Sequence, residues 1–152
     1  MTGPATPLDF LPPAQRERLL ALGLEAAFPA GTRLFEEGGE ADRFWLLRSG
    51  QVDLDIHVPG RHPAPVVESL GPGQLLGWSW ISPPYRWHLG ARTADAVRAT
   101  QFPAGPVLGL CAADPALGYV LMRHFTGVVA ERLQATRVRL LDMYGPYGSR
   151  PA

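Results

Sequence analysis

The segment "GWSWISPPYRWHLGAR", residues 77–92, gathers three of the chain's four tryptophans, a Pro-Pro pair, one His and two Arg. Trp78, Trp80, Tyr85 and Trp87 offer large aromatic faces, Arg86 and His88 offer hydrogen-bond donors, and Ser79 offers a hydroxyl. Such a set can stack a planar ligand and grip an anion. The same rings can instead fill the room a ligand would take. Two readings therefore stand side by side, a pocket for an unusual ligand and a pocket closed by its own tryptophans. A second candidate pair stands in "AERLQATRVRL", where Arg132 and Thr136 are four residues apart and share one helical face. Solvated helix surface is the plainer reading of that pair.

Other chemistries lack their residues. His57, His62, His88 and His124 contain no His-x-His pair, and His57 and His62, which flank the turn-like "VPGR", have no third or fourth ligand beside them in sequence. A cupin-like enzyme, and with it a metal site, is therefore disfavoured. Cys111 is the single cysteine, so no intramolecular disulfide forms and a small core residue is expected. No local motif announces a Ser-His-Asp or Cys-His arrangement, so no catalytic residue is expected. Fourteen basic and fourteen acidic side chains cancel, which removes the global field that would hold a polyanion. All fourteen cations are Arg, a bias that a GC-rich coding sequence explains as readily as function does. No apolar run approaches the eighteen or so residues of a membrane span, and no basic-then-apolar leader opens the chain. A soluble, cytoplasmic protein without a membrane partner is expected.

The elements that would position these residues follow from period and punctuation. At 152 residues the chain is one domain long, with mobile tails at 1–8 and 145–152 and a domain at 9–144. Pro13 and the leucines of "AQRERLLALGL" predict a short N-terminal helix. From about 26 to 103 the chain is cut by Gly and Pro every few residues. In "QVDLDIHV" Val52, Leu54, Ile56 and Val58 alternate with polar residues, the mark of a half-buried strand. "TRLFEEG", "DRFWLLRSG", "APVVESLG", "GARTADAV" and "VRATQFP" read as further strands, giving an antiparallel all-β sandwich or roll. Asp114-Pro115 then opens a helix that ends at Gly145-Pro146, roughly thirty residues and about 45 Å long. A helix of that length suits a partner copy, so a homodimer through it is expected.

Several motifs occur in a fixed order: Phe28, Gly31, Leu34-Phe35, Glu37-Gly38, Asp42, Trp45-Leu46-Leu47 and Gly50-Gln51-Val52, then "LGPGQLLGW", then the long helix. Over roughly residues 10–144 this order resembles the cyclic-nucleotide-binding domain family, the ligand-sensing half of the catabolite-activator-like bacterial regulators. The resemblance implies a mainly β fold with flanking helices: an antiparallel, jelly-roll-like β-roll of about eight strands, a short N-terminal helix and a long C-terminal dimer helix. It also implies a nucleotide inside the roll, on a cassette that follows "GPGQLLG". There a Gly-Glu, a one-turn helix and a Pro-Arg pair bring amides and one Arg to the cyclic phosphate, and the Glu to the ribose.

Set over that cassette, Gly77 matches the glycine, Trp78 stands in place of the Glu, and Trp87 falls at the Arg position with Arg86 one residue earlier. His88, Leu89 and Gly90 replace the small residues. The ligand-binding candidates are thus Gly77, Trp78, Ser79, Arg86, Trp87 and His88, joined by Arg132 and Thr136, whose positions in the family reach the ribose side and the base. A lost charge-assisted hydrogen bond costs about 1.5–3 kcal/mol, so cyclic AMP or cyclic GMP should bind weakly or not at all. Another small anionic or planar ligand is the alternative, and a ligand-free interaction module is a third reading. The family's regulators append a helix-turn-helix module, whereas eight residues follow Tyr144 here, so output through a protein partner is expected in place of DNA binding.

Overall fold

Proline at the first helical position, followed by leucines that find a core, gives α1 (Pro13–Leu20), whose Leu19 is fully buried. The structure is a computed structural model describing residues 8–148, with side chains over 8–143. Eight strands follow: β1 Leu24–Phe28, β2 Arg33–Phe35, β3 Arg43–Ser49, β4 Val52–Asp55, β5 Val66–Leu70, β6 Leu75–Leu76, β7 Gly90–Thr93 and β8 Val97–Pro103. They form two four-stranded antiparallel sheets, ordered β1-β8-β3-β6 and β2-β7-β4-β5. Two helices complete the described chain, α2 (Ala104–Ala113) and α3 (Pro115–Gly148). The expected β-roll with flanking helices is what forms. No helix of the described residues is long and apolar enough to cross a membrane.

β3 shows why the core divides. Its residues Phe44 to Leu47 are all buried, because the strand is covered on both faces. Phe44 stacks on Trp80 and Phe102 and meets the edge of Phe125 from α3, whereas Trp45 approaches Phe35 and Trp87 within the roll. One strand thus separates a helix-facing core from the interior of the roll. The turn into β4 depends on Gly50, whose φ is 86° and whose added Cβ would lie 2.3 Å from the Ala96 carbonyl oxygen. Asp114 caps α3 as predicted, accepting from the Leu117 N–H at 3.2 Å, and pairs with Arg18 at 2.7 Å to tie α1 to the α2–α3 junction.

Three boundaries differ from the sequence reading. Leu8, which the sequence places in a mobile tail, is 2% exposed and sits in the core, so the packed domain includes it. β4 ends at Asp55 and not at Val58: the Ile56 N–H still bonds the Pro65 carbonyl opposite, but Pro59, Pro63 and Pro65 have no N–H with which to extend the ladder. α3 continues through Gly145 and Pro146 to Gly148, a span of 34 residues and about 51 Å. A proline this near the end of a helix removes a single hydrogen bond, which does not unwind the final turn. β1, β6 and α2 were not read as elements at all. The remainder of the assigned tails, 1–7 and 149–152, lies outside the described residues.

The N-terminal segment is held to α3 by Phe10, which stacks on His124 with centroids 3.9 Å apart and planes within 8°. Burial lowers the His124 pKa from its ordinary 6.5, against a smaller upward pull from Glu131. The folded chain therefore binds this proton less well than the unfolded chain. The associated stability is complete above the ordinary value and is lost as the pH falls through the folded one. Thermal unfolding followed from about pH 7.5 to about pH 5 should show a decline that is shallower in His124→Gln.

Candidate ligand site

β6 ends at Leu76, and Gly77, at φ 96°, turns the chain into the segment that reaches β7. No helix forms between residues 77 and 89, which corrects the expected helix N-terminus at Ser79. Turns replace it, with the Ile81 N–H on the Trp78 carbonyl at 3.3 Å and the Tyr85 N–H on the Ser82 carbonyl at 3.1 Å. Pro83 and Pro84 supply no amide donors, so a helical turn cannot be closed there. The segment is instead strapped to residues 38–41. Trp87 donates to Gly39 at 2.9 Å, Gly38 donates to Trp87 at 2.8 Å, and Ala41 donates to Tyr85 at 2.8 Å.

The three tryptophans of this segment have different fates. Trp80 is 1% exposed and belongs to the helix-facing core, against Phe44 and edge-on to Phe125. Trp87 is 5% exposed and lies within the roll, stacked on Phe35 at 3.9 Å and near Trp45. It takes some of the room the ligand would use, as the filled-pocket reading requires, but it does not close the site. Trp78 is half-buried and stacks on His88 at 4.9 Å.

A cavity of about 300 Å³ remains between this segment, the β2-β7-β4-β5 sheet and α3. Gly77, Trp78, Ser79, Trp87, His88, Arg132 and Thr136 all line it. Arg86 does not: its side chain is exposed, its backbone pairs with that of Glu40, and it stands outside the lining, so the displaced cation of the sequence reading does not reach the cavity. Ser79, itself buried, shares a 3.0 Å hydrogen bond with His88 Nδ1. Thr136 donates its hydroxyl to the Arg132 carbonyl at 2.8 Å, one turn back on its own helix.

Arg132 is the cation of the wall. Its side chain is 14% exposed; it donates to the Leu75 carbonyl, and its Nε lies 3.8 Å from the Glu68 carboxylate. Burial lowers its pKa, while Glu68 and Glu131 pull the other way. The sequence reading missed Glu68, along with the apolar lining of Phe35, Leu54, Leu76, Val129 and Leu133. Glu68 lies on β5, a sheet edge where an acidic residue is ordinary, so nothing in sequence set it apart. Among the described residues, no group of three or more His, Cys, Asp or Glu is placed to hold a metal ion.

The sequence profile described as "Cyclic nucleotide-binding domain" matches residues 25–114, more than half of the 152-residue chain. The chain belongs to this family. Within it, the chain is similar to the CRP-like cAMP-activated global transcriptional regulator of Mycobacterium tuberculosis (strain CDC 1551 / Oshkosh), 30% identical over 117 residues, which cover 76% of this chain and 50% of that relative. The chain thus spans about half the length of the curated relatives it matches. Among solved structures, a Geobacter metallireducens GS-15 protein described as a cyclic nucleotide-binding protein superposes with a TM-score of 0.72 at 29% identity, covering 82% of this chain and 92% of that one. A cyclic nucleotide-binding domain from Methylobacillus flagellatus KT reaches a TM-score of 0.80 at 16% identity, covering 88% of this chain and 74% of that one, a likeness of fold alone.

Proposed function

We propose that this cyclic nucleotide-binding domain is a regulatory sensor and not an enzyme. A small ligand seated between the cassette and α3 biases the arrangement of two copies joined through α3, and the dimer passes that state to a protein partner. One observation carries the reading: the stretch of α3 that lines the cavity also carries an exposed apolar row. Met122, Thr126, Val129, Leu133, Thr136, Leu140 and Met143 recur at alternating steps of four and three, the spacing of a coiled-coil seam. Val129, Leu133 and Thr136 also line the cavity. Past Arg132, Leu133, Leu140 and Met143 of this seam are at least half exposed. A ligand that touches Val129 and Leu133 therefore acts directly on the seam, which supplies the differential contact that a two-state response needs.

Sedimentation velocity at roughly tens of micromolar tests the dimer. The expected result is a dimer for the chain and a monomer for Leu133→Glu/Leu140→Glu; both sites are exposed in the single chain, so the far-ultraviolet circular dichroism of the folded domain should be kept. A monomeric wild-type chain, or a dimeric double variant, defeats the reading.

Standard cyclic nucleotides are poor occupants under this proposal. Trp78 occupies the place of the family's Glu, Arg86 is outside the lining, and Arg132 is already engaged. A ligand at a hundred times its Kd adds about 2.7 kcal/mol of stability. Thermal unfolding with micromolar cyclic AMP or cyclic GMP is therefore expected to shift little.

A further inference from the structure

We propose that the cavity takes an uncharged, planar aromatic ligand that carries a hydroxyl or N–H donor at its edge. The proposal rests on the sensor reading and names the class of its ligand. Charge is the first argument. The guanidinium in the lining, Arg132, is committed to the Leu75 carbonyl and lies beside Glu68. Glu68 lines the same cavity, so an entering anion meets a carboxylate together with the cation and gains little from the pair.

Shape is the second argument. Phe35 and Trp87 both line the cavity and stack within 16° of each other, and Trp78 adds a half-buried indole to the wall. Flat rings match such faces and gain stacking beyond the area they bury. Leu54, Leu76 and Leu89 surround them with apolar surface that an ionic ligand would desolvate against.

Hydrogen bonding is the third argument, and it sets the donor. The Nε of Arg132 lies 3.8 Å from the Glu68 carboxylate, too far for a hydrogen bond, and no donor among the described residues bonds that carboxylate. It retains acceptor capacity toward the cavity. Ser79 and His88 satisfy one another through a single bond, leaving acceptor lone pairs on the serine oxygen. A neutral ring with one hydroxyl or N–H answers these acceptors without importing charge.

Calorimetric titration of the full chain with 2-naphthol, 2-naphthoate, decahydro-2-naphthol, 2-methoxynaphthalene, which lacks the donor, and cyclic AMP separates the three arguments. We expect 2-naphthol to bind on the order of tenfold tighter than each of the others. Trp78→Ala should weaken 2-naphthol by on the order of tenfold, whereas Trp78→Phe, which restores a flat face, should stay within about threefold of wild type. Glu68→Gln should tighten 2-naphthoate by on the order of tenfold and weaken 2-naphthol and decahydro-2-naphthol alike, since both lose a charged acceptor.

Cyclic AMP binding more tightly than 2-naphthol would overturn the ligand class and leave the sensor reading standing. Equal affinity for 2-naphthol and its decahydro form, indifference to Trp78→Ala, or no binding by any probe would overturn it as well. The sensor reading fails on different evidence, the sedimentation result for the Leu133→Glu/Leu140→Glu variant.

Discussion

Phe125→Ala is expected to cost the domain about 3–5 kcal/mol, the largest loss available to a single truncation on α3. Phe125 is 1% exposed and meets the rings of Phe44 and Trp80 edge-on, with centroids 5.2 and 5.3 Å away. Truncation removes both edge contacts and leaves a void walled by rigid rings, which relax poorly into it. Phe125 is also the last fully buried residue of the row Leu117, Leu121, Phe125, so it fixes where α3 leaves the body. Val129 and Arg132, one and two turns further along, reach the cavity from that fixed point. Equilibrium denaturation should register the loss of stability, and the thermal midpoint should fall by roughly ten degrees. Phe125→Leu keeps most of the volume and should lose less than about 1.5 kcal/mol. If Phe125→Ala costs less than Phe125→Leu, the claim that this ring anchors α3 is wrong.

How much of this was legible in the sequence depends on whether a period was available to read. The strands with clear alternation or long apolar runs were found, and so was α3, because Leu117, Leu121 and Phe125 recur at helical spacing. β6 escaped because two residues carry no period, and β1 because "LEAAF" has neither β-branched residues nor alternation. α2 escaped for the opposite reason: "AGPVLGLCAA" is apolar on every side and interrupted by Gly105, Pro106 and Gly109. The site shows the same limit. Composition pointed to residues 77–92, and seven of the eight candidates line one cavity, but nothing predicted how the tryptophans divide. Without a helix or strand between 77 and 89 there is no face to assign, so Trp78 and Trp80, two residues apart, part company without warning. Glu68 and Leu133 were unreadable because the cavity exists only where three separate elements meet.

Gly90 carries the second large effect, because an ion pair passes over it. In the β2-β7-β4-β5 sheet, β7 lies between β2 and β4, and Arg33 on β2 reaches across it to Asp55 on β4, with an Nη2–Oδ1 distance of 2.8 Å. The two strands are not neighbours, so the bridge exists only where the intervening strand has no side chain. A Cβ at Gly90 would stand 2.1 Å from Arg33 Nη2 and 2.5 Å from Asp55 Oδ1. Gly90→Ala must therefore push the guanidinium away and leave the Asp55 side chain, 10% exposed, without its cation. Hydrogen bonds that Arg33 donates to Asp55 and Glu36, against the cost of burial, hold its pKa above the ordinary value, so the arginine stays charged throughout. Breaking a buried pair on one side costs about 3–5 kcal/mol; Arg33 is a third exposed, which brings the expected loss nearer 2 kcal/mol. A double-mutant cycle distinguishes the bridge from simple crowding. In an Arg33→Leu/Asp55→Leu background, where no charge remains to strand, Gly90→Ala should cost under about 1 kcal/mol. An equal cost in both backgrounds would mean that the methyl clashes with the sheet and not with the pair. The consequence reaches the ligand site, since Leu89, which lines the cavity, immediately precedes Gly90. A loosened β7 should weaken any ligand held there even in molecules that remain folded.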